Sequence, residues 1–462
     1  MKLCVIGGAG ARSAFLTKSL VKSAREIKVD HIVLLDNDQR RLRTYGEIAR
    51  QVACRLDPEL KFDVTDDARA ALTGVDYIIT TIRAGGDAGR LFDEKTCLSL
   101  GVLGQETTGA GGFAMAIRSV PTLLYYCALA KEVANPGHLI FNFTNPSGII
   151  TQALRLKGYD NVYGICDAPS GFIKQLEEIL GVPYGGLDIE CYGLNHLSWF
   201  RNARLHGKDV QLELLNADKT YTHSEMRLFT REMARLSGDE MLNEYLYFYY
   251  RREKSLSMIQ KAEHPRGETI YLINRELEEQ LDKMELPRDF EKAFDAYMAA
   301  YGQRENAYFS VESGACREKV WNPPTIDEFL AAPDEGGYAA VALRFIRAIT
   351  AGEPCRMILS VPNNGAIEGL ADDDVVEITC DIRGDGAHPV HIGKVDEFQL
   401  QQIKRLKYFE RCTIQAIVGN DRDAAVKGLF LHPLVNDIEI AEKLVDTFFE
   451  KYAAFIHMNE AN

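Results

Sequence analysis

A Rossmann-like α/β fold, with a doubly wound parallel sheet in its first part, is predicted for this 462-residue chain by three observations. Short apolar runs alternate with amphipathic helical patterns from residue 3 onward. Those runs are apolar at consecutive positions, as strands covered on both faces are. A glycine-rich turn joins the first run to the first helix, and a second α+β, mainly helical part follows.

The elements follow in order. Leu3 to Ile6 reads as a buried strand, Ser13 to Ile27 as an amphipathic helix, His31 to Leu35 as a second strand and Gln39 to Leu56 as a second helix. Val75 to Thr81 and His138 to Asn142 are further strands, and Val162 to Ile165 adds a short one that runs into Gly164-Ile-Cys-Asp-Ala-Pro-Ser170. Near residue 200 the character changes: Met226 to Gln260 and Glu268 to Gly302 carry long, charge-rich helical patterns. Arg356 to Val361 and Val375 to Cys380 look like strands flanking an Asn364-Gly365 turn, and Phe398 to Ala454 returns to helices. The expected organisation is a Rossmann-like domain over residues 1–200 and an α+β, mainly helical substrate-binding domain over residues 201–462.

Composition narrows the partners. Hydrophobic residues make up 46% and charged residues 26%, as in a water-soluble protein with a full core. The net charge of -14 argues against nucleic acid, because Arg40-Arg41 and Arg251-Arg252 are short and interleaved with acids. Ten cysteines form no CxxC pair and no secreted disulfide framework, so a reducing cytoplasm is expected. No signal-peptide stretch follows Met1, and no apolar run is expected to reach the roughly 18 residues that span a bilayer. No membrane partner is expected.

After the first strand comes Gly7-Gly-Ala-Gly-Ala-Arg-Ser13. Gly8 and Gly10 fill the first two places of a GxGxxG fingerprint and Ser13 takes the third. Glycine there lets the backbone approach a pyrophosphate at the positive end of a helix. Asp36 ends the second strand, where a carboxylate holds a ribose 2′-hydroxyl and repels a 2′-phosphate. Gly7, Gly8, Gly10, Ser13 and Asp36 are therefore assigned to NAD, on a lactate/malate dehydrogenase-like scaffold.

Further stretches carry chemistry of their own. Arg83-Ala-Gly-Gly-Asp-Ala-Gly-Arg90 follows a strand and places two guanidinium forks at the carboxyl edge of the sheet, suited to phosphate or carboxylate. Gln105-Glu-Thr-Thr-Gly-Ala-Gly-Gly-Phe113 is dense in polar groups and glycine. Asn142-Phe-Thr-Asn-Pro-Ser-Gly148 ends a buried strand with two amides that either read hydroxyls or form an Asx-turn. Cys166, beside Asp167, and His196, in Gly193-Leu-Asn-His-Leu197, are a thiol and an imidazole suited to one divalent metal; two protein ligands leave it open for catalysis.

Taken together, these motifs resemble family 4 of the glycoside hydrolases, an NAD- and divalent-metal-dependent family outside the two-carboxylate glycosidases. The resemblance runs through GGAGARS, the Arg83–Arg90 loop, QETTGAGGF, NFTNPSG, GICDAP, YGLNHLS and Asn363-Asn-Gly-Ala-Ile-Glu-Gly369. It implies that Cys166 and His196 hold a manganese-like ion with the sugar's 2- and 3-oxygens, and that Asn145 lies beside those hydroxyls. It implies Tyr245 as the catalytic base, although Tyr247, Tyr249 and Tyr250 crowd the same segment and suit plain packing equally. Arg90 and Arg266 match arginines around a substrate 6-phosphate, and Arg83 joins them.

The implied chemistry is transient oxidation at C3 by bound NAD, which acidifies the proton at C2. A tyrosine with an ordinary pKa near 10 removes that proton with help from the cation. Elimination, water addition at C1 and return of the hydride then give hydrolysis without net oxidation. The family's 6-phospho-β-glucosidases carry Cys-Asn-Val/Ile-Pro and its 6-phospho-α-glucosidases Cys-Asp-Met-Pro; this chain has Cys166-Asp-Ala-Pro169, which matches neither. The flanking motifs resemble the β members, so a 6-phospho-β-glucoside is the expected small-molecule partner, with α-linked, dual-anomer or unphosphorylated substrates as the alternative. Asp167 either protonates the leaving group or orients the metal site. The resemblance also implies a homodimer or homotetramer. A 2-hydroxy-acid dehydrogenase, which would accumulate NADH, leaves the cysteine unused; an NAD-sensing regulator leaves the metal residues unused.

Overall fold

The computed structural model describes residues 1–307, 310–314, 321–334 and 339–458. Its main sheet has nine strands. β1 (Lys2–Ile6), β2 (His31–Leu35), β3 (Lys61–Thr65), β4 (Tyr77–Thr80), β5 (Leu139–Asn142) and β6 (Val162–Gly164) are mutually parallel and lie in the order β3-β2-β1-β4-β5-β6. That order is the doubly wound one, and its direction reverses between β1 and β4, where such sheets open a crevice beyond the strand ends. In β1 and β2 the last four residues are all buried, which explains their unbroken apolar sequence. β3 carries no such run because it is the polar edge strand; sequence periodicity missed it.

A second, smaller sheet holds β7 (Leu187–Leu194), β8 (Leu197–Leu205), β9 (Lys208–Asp209) and β10 (Met241–Leu242). β7 and β8 form a hairpin whose tip is Asn195-His196, with Leu194 paired to Leu197. β11 (Cys355–Pro362), β12 (Val375–Arg383) and β13 (Gly386–Pro389) then rejoin the main sheet, with β11 antiparallel to β6 through Ser360 and Gly164. The sheet therefore runs across residue 200. So does the core, in which Leu3 and Phe141 share one apolar cluster with Trp199, Ile358 and Leu406.

Several helical expectations are corrected. The Met226–Gln260 pattern is broken into short helices at Arg231–Leu236, Leu246–Tyr250 and Arg252–Lys261, because Gly238 and Asp239 take positive φ and turn the chain into β10. The Glu268–Gly302 pattern is two helices, Arg266–Leu281 and Phe290–Asn306; Pro287, which has no N–H to donate, lies between them. The first helix ends at Ser23 rather than Ile27. Asn364-Gly365 does make a tight turn, with Ala366 N–H donating to Asn363 O at 2.8 Å, but it opens a longer loop between β11 and β12. One helix, Gly109–Val133, is long and apolar enough to cross a membrane by length and composition, against expectation. Yet 72% of its most apolar window is buried inside the protein, where it serves as a core helix.

Candidate active site

A cavity of about 590 Å³ opens beyond the carboxyl ends of the parallel strands. Each residue given a cofactor, metal, substrate or catalytic role from the sequence borders it: Gly7, Gly8, Gly10, Ser13 and Asp36; Arg83, Arg90, Asn145 and Arg266; Cys166 and His196; Asp167 and Tyr245. Residues from the first strand to the helix at Arg266 thus face one space.

The glycine turn is built by close approach. Gly7 has φ +84°, and a Cβ there would lie 2.9 Å from the backbone of Ile82. Gly8 presses on Leu34 in the same way, whereas a Cβ at Gly10 would meet only Gly7 O at 3.7 Å. Gly10 therefore leaves a cradle in front of the helix Ser13–Ser23, whose N-terminus no side chain caps. Ser13 is buried and its hydroxyl donates to Tyr45 O at 3.3 Å, so it also ties the turn to the next helix. The Asp36 carboxylate accepts from Ala9 N–H at 3.3 Å and Asp38 N–H at 3.1 Å, which fixes it at the mouth of the turn.

Cys166 and His196, thirty residues apart in sequence, meet with Sγ 3.7 Å from Nε2. Two donors about 2.0–2.3 Å from one ion span such a separation. Burial pushes the His196 imidazole down to about 3, so it is neutral and able to ligate at ordinary pH. Burial, then the charges of Glu377 and Asp167, push the Cys166 thiol well above its usual range, a bias that a cation in contact with the sulfur reverses. His196 Nδ1 is buried with no hydrogen-bond partner among the described residues. Among the described residues no group of three or more His, Cys, Asp or Glu side chains able to hold a metal occurs.

The arginines share one carboxylate. Glu106 pairs with Arg83 and, at 3.3 Å, with Arg90 Nε. Burial alone would raise the Glu106 carboxyl; the charges of Arg83, Arg90 and Arg266 outweigh it and hold the group well below the usual carboxylate range. Arg266 starts its helix and donates to Ala307 O at 3.0 Å. The turn carrying Arg83 and the helix Gly86–Ser99 carrying Arg90, a helix where the sequence suggests a loop, rest on fully buried Arg118, which donates to Ala84 O at 2.8 Å and forks onto Asp93 at 3.1 and 2.7 Å. Gly85 and Gly89 lie against that guanidinium with no room or little room for a Cβ. In the sequence Glu106 stands in a polar, glycine-rich stretch that assigns it no role, and the one signal for Arg118 is an arginine inside an apolar helical pattern.

Tyr245 is separated from its neighbours by what each ring touches. Tyr249 bonds to Thr108 Oγ1, Tyr250 lies 3.3 Å from Ser237 Oγ, and buried Tyr247 reaches Glu312 O at 3.4 Å. Of these four, only Tyr245 borders the cavity, its ring stacked on His196 at 3.8 Å between centroids. The two asparagines divide likewise. Asn142 is fully buried, accepting from Thr80 Oγ1 at 2.8 Å and from Thr144 N–H at 3.2 Å as an Asx-turn, whereas Asn145 lines the cavity. Asp167 precedes the helix Ala168–Leu180; burial raises its carboxyl and the Arg12 charge partly offsets the rise.

Comparison with known proteins places the chain in a family. Residues 2–182 match Family 4 glycosyl hydrolase and residues 191–435 match the Family 4 glycosyl hydrolase C-terminal domain. The chain is similar to 6-phospho-beta-glucosidase BglT of Thermotoga maritima, at 29% identity over 99% of this chain and 100% of that one. A crystal structure of the Thermotoga maritima 6-phospho-beta glucosidase with manganese, NAD+ and glucose-6-phosphate superposes with a TM-score of 0.80 at 27% identity, over 98% of this chain and 99% of the other. The 6-phospho-alpha-glucosidase 1 of Lacticaseibacillus paracasei is also similar, at 26% identity over 96% of this chain and 95% of that one. With most of its length matched by the two domain descriptions, the chain belongs to family 4 of the glycosyl hydrolases and is a glycoside hydrolase.

Proposed function

We propose that this enzyme hydrolyses 6-phospho-β-glucosides with NAD and a divalent cation, Mn²⁺ or a similar ion, held in the cavity throughout each turnover. The observation that carries the reading is that the glycine cradle, the Cys166–His196 pair and the arginines around Glu106 border one cavity. The Thermotoga maritima structure, which holds manganese, NAD+ and glucose-6-phosphate on the same fold, supports it. When bound, NAD supplies a reversible hydride acceptor and the cation a Lewis acid.

The chain's own residues do the rest. Gly7, Gly8, Gly10 and Ser13 admit the pyrophosphate to the helix N-terminus, and Asp36 takes the ribose hydroxyls. Cys166 and His196 hold the cation, and Asn145 bonds the sugar's hydroxyls. Tyr245, against His196, receives the proton from C2. Arg90 and Arg266 bind the 6-phosphate, with Arg83 anchored beside them through Glu106. Asp167, whose burial favours the protonated form, donates to the leaving oxygen. That carboxyl also favours a second reading, in which α-linked 6-phosphoglucosides are cleaved as well; the similarity to a 6-phospho-alpha-glucosidase agrees with it. A homodimer or homotetramer in the cytoplasm, without nucleic acid or membrane, completes the proposal, and light scattering tests the assembly.

The deciding experiment is incubation with a chromogenic 6-phospho-β-glucoside, its α-anomer and the unphosphorylated β-glucoside, with NAD and Mn²⁺, in D₂O. The expected result is fastest cleavage of the phosphorylated β-anomer with deuterium at C2 of the product. Cleavage that continues unchanged after removal of NAD and metal overturns the reading, and stoichiometric NADH would point to a dehydrogenase.

A further inference from the structure

Glu377, on β12, lies outside the cavity lining and outside every motif above, yet it is 1% exposed and carries a carboxylate. Its two oxygens are taken by the residues around the tip of the β7–β8 hairpin. Asn195 Nδ2 donates to Oε1 at 2.8 Å and Ser198 Oγ donates to Oε2 at 2.9 Å. Between these two donors stands His196, at φ +65°. Both donors are neutral, and among the described residues no ion pair involves Glu377. Burial raises this carboxyl to about 7 against the lowering effect of those two hydrogen bonds, so it takes its full charge when a positive charge comes to rest nearby.

The same strand ties the two halves of the cation site. Glu377 pairs in register with Ser360 of β11, and Ser360 pairs with Gly164 of β6, two residues before Cys166. A Cβ on Gly164 would lie 2.6 Å from Ser360 Cβ, so these strands are seated without slack. Two residues beyond Glu377, Thr379 Oγ1 accepts from Cys191 N–H of β7 at 2.8 Å. The imidazole has no such guide of its own. A metal-bound histidine is ordinarily oriented by a bond from its second ring nitrogen, and His196 Nδ1 makes none among the described residues. Its direction therefore comes from the backbone of the turn and from the Tyr245 ring stacked on it.

We propose that Glu377 is a positioning residue for the cation: it clamps the His196 turn through Asn195 and Ser198, sets it against Cys166, and places a buried negative charge behind the pair. This rests on the reading of Cys166 and His196 as metal ligands given above. The charge adds attraction for a divalent ion without touching it, and the clamp removes freedom that the turn would otherwise lose on binding.

The test is Mn²⁺ binding by the whole protein, read from the free-ion signal in electron paramagnetic resonance, with NAD affinity measured separately. E377A should weaken Mn²⁺ binding by about tenfold or more, the range seen when such outer partners are removed, while NAD affinity stays within about twofold. E377Q keeps two hydrogen bonds and loses the charge, so it should fall between E377A and the native protein. With Co²⁺ as probe, the thiolate-to-cobalt absorption should shift in E377A, which a merely stabilising residue would not cause. If E377A does not fold, E377Q and S198A, which removes one of the two bonds, decide the matter. Mn²⁺ affinity within twofold of native in the folded variants, with C166S unable to bind, overturns the role of Glu377 alone. A native protein that takes up no Mn²⁺, or a C166S variant that binds it as well as native, overturns the metal reading and this inference with it. Parallel loss of NAD affinity also counts against the clamp.

Discussion

Arg90 offers the sharpest test of a phosphate subsite. Its side chain is buried, shares Glu106 with Arg83, and projects from the helix Gly86–Ser99, which Arg118 braces at Ala84 and Asp93. In R90Q that helix keeps its Arg118 support, and Glu106 keeps Arg83 as partner. A charge-assisted contact to a phosphate is worth about 1.5–3 kcal/mol. Burial and the neighbouring Arg83 and Arg266 charges already disfavour the Arg90 cation, so removing it relieves part of that cost. About 2 kcal/mol is left, or roughly 30-fold in kcat/KM at 1.36 kcal/mol per decade. The assay compares kcat/KM for a chromogenic 6-phospho-β-glucoside with that for the unphosphorylated glucoside. The first should fall about 30-fold and the second should stay within about twofold, since only one substrate carries the partner. An equal fall for both would show Arg90 to be a structural member of the pocket and would refute the assignment.

Three other perturbations have distinct signatures. Y245F keeps the ring stacked on His196 and removes only the hydroxyl; kcat should drop about 10²–10⁴-fold with NAD and Mn²⁺ binding retained and C2 deuteration lost, as isotope analysis of the product would show. G10A should fold normally, because a Cβ there meets nothing nearer than 3.7 Å, but should weaken NAD by about tenfold in calorimetry; G8A, forced to within 2.9 Å of Leu34, should instead lower the melting temperature. Burial pushes buried His432 down to about 3. The unfolded chain binds a proton there below about pH 6.5 while the folded chain refuses it, so stability is lost as pH falls through that window, by about 2 kcal/mol at pH 5. H432N, whose amide oxygen can still accept from Leu434 N–H as His432 Nδ1 does, should flatten that part of the urea-midpoint profile between pH 7.5 and 5, and an unchanged slope would discard the argument.

What the sequence disclosed depends on how local the physics is. The glycine turn, Asp36 and the Cys166-Asp167 pair were legible because reactive side chains at the ends of apolar strands fall at one edge of a parallel sheet, wherever the helices go. Tyr245 is set apart in the sequence only by resemblance; four tyrosines in six residues look alike until the structure sends Tyr247, Tyr249 and Tyr250 to Glu312, Thr108 and Ser237. β11 and β12 were legible as strands but not as members of the first sheet, since β6, the partner of β11, lies nearly two hundred residues earlier; β13, which pairs only with β12, was not legible. The break of the Met226–Gln260 pattern followed from β10 pairing with Trp199 and Phe200, a tertiary demand that helical periodicity does not contain. Glu377 had a faint signal, one acid in the apolar run Val375-Val-Glu-Ile-Thr-Cys380, but nothing in that run names Asn195 or Ser198.

The antiparallel extension of the sheet is what turns a dinucleotide scaffold into this site. A doubly wound sheet could end at β6, and Cys166 would then stand at an open edge with His196 on a separate hairpin. Here β11 closes that edge, β12 follows it, and Thr379 and Glu377 on β12 take hold of β7 and of the hairpin tip. The chain from Cys166 to His196 is thirty residues, long enough for the two to drift apart. The shorter physical path runs sideways, through Gly164, Ser360 and Glu377, and it contains a strand contact too close for a side chain larger than hydrogen at Gly164. Rigidity across the strands therefore does what proximity in sequence cannot. On the proposed reading of Cys166 and His196 as ligands, it lets a two-residue donor set, which gains less from chelation than a three- or four-residue one, be spaced before the ion arrives.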